Sequence, residues 1–225
     1  MRIALFGGTF NPIHLGHLAI AQGARACLGL TRVLFIPSGQ PPHKLEGEFV
    51  SAHHRLAMTR LATVFEPAFE VSDVEVRLPG PSYSINTVEA VRRQYGQTVE
   101  LSLLMGLDVF LEIQGWKDAD RLLSLCHVIV VSRPGYRFAQ LVSLPLGPPW
   151  PTAALAALDT GERDQVGLPL GAGTTLSLLH LPPCTTSSTH VRTQLAKGED
   201  VAPHLPPEVE SYILTHHLYT GRRAS

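Results

Sequence analysis

Two features of the sequence predict an α/β fold with a doubly wound parallel sheet, helices on both faces, and a small helical part at the C-terminal end. Short apolar-rich runs recur at residues 3–6, 33–36, 99–105 and 127–131, unbroken in the first two, and each stops at Gly, Pro or Ser. Longer segments between them space their apolar residues three and four apart. Unbroken apolar runs of this length suit strands buried on both faces. Strands alternating with helices give a parallel sheet with right-handed crossovers. The pattern is Rossmann-like.

Taken in order, residues 3–6 form a strand ending in Gly7-Gly8, and residues 16–28 form a helix with Leu18, Ile20, Ala21 and Ala24 facing inward. The strand at 33–36 stops at Pro37, and a polar, proline-rich loop covers 38–48. Ser51 caps a helix to about residue 65. Residues 69–76 read as extended and 84–95 as a helix ending at Gly96. The strand at 99–105 closes on Gly106, and that at 127–131 closes on Ser132-Arg133-Pro134-Gly135. Residues 141–172 are rich in Leu, Pro, Ala and Gly, an excursion with one short helix at 153–158. A late strand at 176–181 and closing helices at 188–197 and 207–217 complete the chain. All 225 residues form one domain: a core at 1–183, with its excursion at 136–173, and a helical part at 184–225.

Formal net charge is -1, which argues against a surface that wraps nucleic acid but leaves room for a local basic pocket. The cysteines, Cys27, Cys126 and Cys184, are odd in number and scattered, which fits reduced thiols rather than disulfides or zinc. The N-terminal apolar run is too short for a signal peptide. No apolar stretch reaches transmembrane length, so a cytoplasmic protein with no membrane partner is expected.

The string Gly7-Gly8-Thr9-Phe10-Asn11-Pro12-Ile13-His14-Leu15-Gly16-His17 follows the first strand and opens the first helix. Ligands of open parallel sheets bind at such strand ends. Glycines let backbone approach a phosphate, and free N–H groups at a helix start attract anions. The spacing is neither G-x-G-x-x-G nor a Walker loop. His14 and His17 share one side of the opening turn, where imidazole N–H donors can stabilise a phosphoryl group as it is transferred. A metal site would need a third ligand that the sequence does not offer. Near the other end stands Thr186-Ser187-Ser188-Thr189-His190-Val191-Arg192. Ser187 or Ser188 can cap a helix whose first turn presents N–H groups, hydroxyls and the Arg192 guanidinium, a cradle for phosphates. Alone, this string reads more readily as a plain capped surface helix with a solvated Arg.

His14-Leu15-Gly16-His17 resembles the (H/T)-x-G-H signature of the nucleotidylyltransferase superfamily, and its extended form resembles the bacterial nicotinate mononucleotide adenylyltransferases. The 186–192 string resembles that family's I-S-S-T-x-(I/V)-R motif, with Thr186 in place of Ile. Pro41-Pro42-His43-Lys44, Pro81-Ser82-Tyr83-Ser84-Ile85-Asn86-Thr87, Met105-Gly106-Leu107-Asp108 and Trp116 also resemble family stretches, with Asn86 where many members carry Asp and Lys117 where many carry an aromatic residue. The likeness runs from Ile3 to Tyr219, apart from residues 136–173.

The resemblance implies transfer of AMP from ATP to nicotinate mononucleotide in NAD biosynthesis. His14, His17, Lys44 and Arg192 would be catalytic. Gly7, Gly8, Thr9, Phe10, His17, Gly106, Asp108, Ser188, Thr189 and Arg192 would bind ATP, while Lys44, Thr87, Trp116 and Arg133 would bind the mononucleotide. Arg55 could reach the same phosphate or lie on a solvated face. Mg²⁺ would travel with the ATP phosphates, with no metal site of the protein's own. The rivals are nicotinamide mononucleotide or phosphopantetheine as acceptor, and a nucleotide sensor without turnover. A homo-oligomer is compatible with the sequence.

Overall fold

The computed structural model describes residues 1–41, 49–146, 149–171 and 173–220. The first half of the chain runs β1 (Arg2–Gly8), α1 (Leu15–Leu28), β2 (Arg32–Pro37), α2 (Ala52–Thr63), β3 (Phe69–Val71), α3 (Val74–Arg77), α4 (Ser84–Tyr95) and β4 (Glu100–Gly106). The second half runs α5 (Leu107–Phe110), α6 (Ala119–Leu125), β5 (His127–Val131), α7 (Thr152–Thr160), β6 (Gln165–Pro169), β7 (Thr175–Leu179), α8 (Ser188–Lys197) and α9 (Pro207–Thr215), with 3₁₀ turns at Ile113–Gly115 and Phe138–Ser143. Among the described residues the sheet has seven strands in the order β3-β2-β1-β4-β5-β7-β6. All neighbours pair in parallel except β6, which runs antiparallel to β7 at the edge.

Period-two alternation sorts the strand side chains into two layers. Ala4, Phe6, Val33, Phe35, Leu104, Ile129 and Leu179 face one side, with Ala21 and Ala24 of α1, Met58 of α2, Val191 of α8, and Val209 and Ile213 of α9. Ile3, Leu5, Leu34, Leu103, Val128, Val130 and Leu178 face the other, with Val88 and Val91 of α4, Leu122 of α6 and Leu155 of α7. Both layers bury aliphatic side chains completely, each worth about 1.5–3 kcal/mol. Val191 is fully buried, and it fixes α8 to the layer that carries α1.

Strand order departs from β1 in both directions, through β2 to one edge and through β4 to the other. The crevice at the carboxyl ends of β1 and β4 is therefore the switch point, where open parallel sheets bind ligands. Gly8 ends β1 and Gly106 ends β4.

Three local expectations need correction. The stretch expected to be extended over 69–76 is a three-residue strand followed by helix α3. Ser72 Oγ accepts from Val74 N and turns the chain there, and the Arg77–Asp73 ion pair (2.7 Å) closes the turn. The Leu/Pro-rich excursion contains α7 and also strand β6. The late strand ends at Leu179, where the register with β5 ends. Among the described residues no helix is long and apolar enough to cross a membrane.

Candidate active site

The loop after β1 is shaped by packing beneath it. Phe10 adopts a left-handed backbone conformation (φ 46°), and its buried ring packs edge-on against Phe6 and His17. A Cβ at Gly8 would stand 2.9 Å from that ring, so the position needs glycine. With its ring in the core, Phe10 can offer a ligand only its main chain, beside the more open Gly7, Gly8 and Thr9.

His14 precedes α1 in an extended conformation, and its backbone N–H donates to His17 Nδ1 at 3.2 Å. Accepting there requires an unprotonated Nδ1, which places the proton of a neutral His17 ring on Nε2 and makes that nitrogen a donor. The two rings stack with centroids 3.7 Å apart. Burial, then the positive fields of Arg133 and His204, lowers the His14 pKa to about 4. Burial, then His14 and Arg133, drives His17 well below the ordinary imidazole value. Both rings are neutral at pH 7. His14 Nδ1 is buried and has no hydrogen-bond partner among the described residues.

Helix α8 arrives on the same loop from the far end of the chain. Ser187 caps it by accepting from His190 N (3.2 Å). Ser188 Oγ donates to the Pro12 carbonyl (2.9 Å), and Arg192 donates to the Asn11 carbonyl (2.8 Å) and to Thr189 Oγ1 (3.2 Å). The 201–205 connection seals the junction: His204 O accepts from Leu15 N (2.9 Å), and its ring shares a hydrogen bond with Thr186. Tyr219 donates to Asn11 Oδ1 (2.7 Å). Cys184 lies so close to Gly16 that a Cβ there would come within 2.6 Å of its sulfur. The imidazole pair and the guanidinium, remote in sequence, therefore flank one segment, Asn11 to His14.

At the end of β4, Asp108 is ion-paired with Arg133 (3.5 Å). A Cβ at Gly106 would sit 2.4 Å from Asp108 Oδ1, so glycine is needed there too. Arg133 is near enough to lower both histidine pKa values, which puts it on the His14–His17 side of the crevice.

The residues expected at a pyridine ring are not brought into one cavity. Thr87 lines a cleft of about 250 Å³ with Glu75, Ser82, Tyr83 and Asn86. Its hydroxyl is already committed to Glu75 Oε1 (2.6 Å). Trp116 is half-buried against the β-sheet layer of α4 and lines a separate depression with Asp118 and Arg121. Lys117 lies next to the first cleft, its ammonium 4.8 Å from the Tyr83 ring centroid. Lys44 lies outside the described residues. Arg55 is neither a free phosphate ligand nor solvated: it is 2 % exposed, and its guanidinium bonds backbone carbonyls. Sequence reasoning also missed Glu75, His204 and Tyr219. Among the described residues no three His, Cys, Asp or Glu side chains gather as a metal site.

The sequence pattern of the cytidylyltransferase-like family matches residues 5–194. The chain belongs to the cytidylyltransferase-like family. Both ends of the candidate site, the 7–17 loop and the first turn of α8, fall inside that match. Among relatives of this cytidylyltransferase-like chain, a protein of Pelobacter propionicus is 41% identical over 225 residues, covering 98% of this chain and 99% of its own. One of Moorella thermoacetica is 38% identical over 221 residues, covering 98% and 93%. Each is named probable nicotinate-nucleotide adenylyltransferase. Among solved structures, the Plasmodium falciparum nicotinic acid mononucleotide adenylyltransferase complexed with NaAD shares the fold, with a TM-score of 0.71, 15% identity and 97% of each chain covered. The same protein complexed with APC superposes with a TM-score of 0.65 at 16% identity, covering 97% of this chain and 96% of its own.

Proposed function

We propose that this chain transfers the AMP portion of ATP to the phosphate of nicotinate mononucleotide, giving nicotinate adenine dinucleotide and pyrophosphate. The observation that carries the reading is the meeting of His14 and His17 with Ser188, Thr189 and Arg192 around the Asn11–Pro12 segment, at the switch point of the sheet. The names of relatives 38–41% identical along the whole chain select the acceptor.

A phosphate oxygen of the mononucleotide attacks the α-phosphorus of ATP in line, and the bond to the bridging oxygen breaks to release pyrophosphate. The acceptor is already an anionic nucleophile, so catalysis consists of positioning and charge stabilisation. The His17 Nε2–H and the His14 ring donate to the α-phosphoryl oxygens. Gly7, Gly8 and Thr9 offer backbone to the phosphates. Arg192 and Thr189 hold the departing pyrophosphate, and Lys44 and Arg133 offset the charge of the acceptor phosphate. Gly106 and Asp108 face the nucleotide sugar. The cleft of Thr87, Ser82 and Asn86 receives the pyridine end of the acceptor, and Trp116 stands outside that cleft. Mg²⁺ would be held mostly by the triphosphate and water rather than by the protein, and would offset phosphate charge. An ATP-dependent synthesis of this kind belongs in the cytoplasm.

The test is pyrophosphate release from ATP and Mg²⁺ with nicotinate mononucleotide, nicotinamide mononucleotide or phosphopantetheine as acceptor. The highest kcat/KM is expected with nicotinate mononucleotide, and His17→Ala is expected to lower kcat by roughly 100- to 1,000-fold, the scale of one lost transition-state donor. A preference for phosphopantetheine, or wild-type turnover by His17→Ala, would overturn the assignment.

A further inference from the structure

Arg55 is the largest fully buried side chain among the described residues, and the mechanism above does not use it. It sits in the first turn of α2 and spends its donors on three carbonyls from three segments. Nη1 donates to Thr9 O (2.8 Å), Nη2 to Gly39 O (3.1 Å) and Nε to Val50 O (3.2 Å). Among the described residues no carboxylate is hydrogen-bonded to it. Burial weakens its hold on its proton, and the fields of Tyr219 and Glu75 oppose that effect. A cation kept in such a place at a desolvation cost calls for a reason beyond stability, since apolar replacements of buried charges are often neutral or stabilising.

The reason lies in what the carbonyls belong to. Thr9 is on the loop after β1, the ATP side of the crevice. Gly39 is on the loop after β2, and it leads into the cleft of Glu75, Ser82 and Thr87. Its N–H and that of Gln40 donate to Ser82 Oγ (3.0 and 3.3 Å). A Cβ at Gly39 would be 2.1 Å from the Glu75 carbonyl oxygen, so this loop is pressed onto α3. Ser38 N donates to Gly8 O (2.9 Å), tying the two loops directly.

We propose that Arg55 is a positioning residue that locks the ATP-side loop and the acceptor-side loop at a fixed separation, so that the attacking phosphate and the α-phosphorus meet at reacting distance. The assignment of the two loops to donor and acceptor rests on the adenylyltransferase reading. The planar guanidinium bridges three carbonyls at once, whereas an ammonium is a point donor. A misplacement of about 1 Å between reacting groups costs on the order of 100-fold in rate.

The test compares Arg55→Lys and Ser82→Ala with the wild type. Arg55→Lys is expected to lower kcat by roughly 10- to 100-fold, with KM for ATP changed less than about three-fold, at a temperature where melting curves show it folded. Ser82→Ala, on a half-exposed residue, is expected to lower kcat several-fold with KM for ATP unchanged. Amide hydrogen exchange, which needs no turnover, is expected to quicken together at residues 8–11 and 38–40 in Arg55→Lys. A lowered melting temperature with wild-type kcat would make Arg55 a strut and overturn the proposal. So would exchange that quickens in one loop alone. If Arg55→Lys does not fold, wild-type kcat in Ser82→Ala overturns it. Wild-type pyrophosphate release tests the reaction, while variant-to-wild-type ratios and loop exchange test the clamp, so the two fail separately.

Discussion

Lowering the pH from 7.5 to 4.5 should cost this protein stability through His14, and the cost follows from the structure. In the folded chain the His14 pKa is about 4, against 6.5 for an ordinary imidazole, chiefly because burial disfavours its charged form. The folded value lies below the unfolded one, so the unfolded chain takes up a proton first as pH falls. Well above pH 6.5 neither state binds it and His14 has no effect. Between 6.5 and 4 stability drains away, and below 4 the loss levels off. At about 1.36 kcal/mol per unit, the deficit is about 1.4 kcal/mol at pH 5.5, about 2.5 kcal/mol at pH 4.5 and about 3.4 kcal/mol in the limit. His17 acts in the same direction and Glu75, whose carboxyl burial raises, acts in the opposite one. Both are present in a His14→Asn variant, so the difference between wild type and variant reports His14 together with the part of the His17 depression that His14 causes. The assay is urea unfolding followed by tryptophan fluorescence at pH 7.5, 6.5, 5.5 and 4.5. The wild type should lose about 2.5 kcal/mol more than His14→Asn between the extremes. Parallel losses in the two proteins would refute the depressed pKa and the neutral ring pair built on it.

Gly16→Ala should destabilise the protein by about 1–3 kcal/mol through overpacking, because the new Cβ would meet Cys184 Sγ at 2.6 Å and His14 Nδ1 at 3.0 Å. Adding Cys184→Ala should recover part of that loss in thermal melts, and strictly additive effects would show that the two positions do not collide. Tyr219→Phe leaves the buried Asn11 Oδ1 without its donor and should cost about 1–3 kcal/mol. A urea midpoint equal to wild type would mean that this contact adds nothing to the loop.

The central strands were legible because their residues are buried on both faces, and apolar runs such as those of β1 and β2 say so without reference to anything distant. Strand β6 was not, because it lies at the sheet edge and of its residues only Val166 is fully buried, which leaves almost no pattern to read. The 69–76 stretch misled because β3 pairs with β2 over only three residues before Ser72 turns the chain. The two strings that meet at Asn11 and Pro12 stood out because each packs its polar residues close together in sequence. Arg55 did not. On an amphipathic helix its letter is the same whether the guanidinium meets water or carbonyls, and Thr9, one of its partners, lies 46 positions away. Glu75 and Tyr219 were hidden in the same way, since their partners Thr87 and Asn11 belong to other elements.

A net charge of -1 also concealed how charge is arranged around the loop after β1. Arg55, Arg133 and Arg192 surround it, and of the nearby carboxylates Asp108 is paired with Arg133. The Arg133 field, added to burial, keeps His14 and His17 uncharged, so the permanent positive charge and the hydrogen-bond donors sit on different side chains. That division has a kinetic consequence. A charged imidazole at the α-phosphate would bind the ground-state triphosphate strongly, and binding shared by ground and transition states does not raise kcat. A neutral N–H fixed by its partner nitrogen gains most as negative charge grows on the α-phosphoryl oxygens during bond exchange. In the proposed reaction the arginines would retain the substrates while the histidines would favour the transition state, and the same burial that makes His14 costly in acid would make it useful near neutrality.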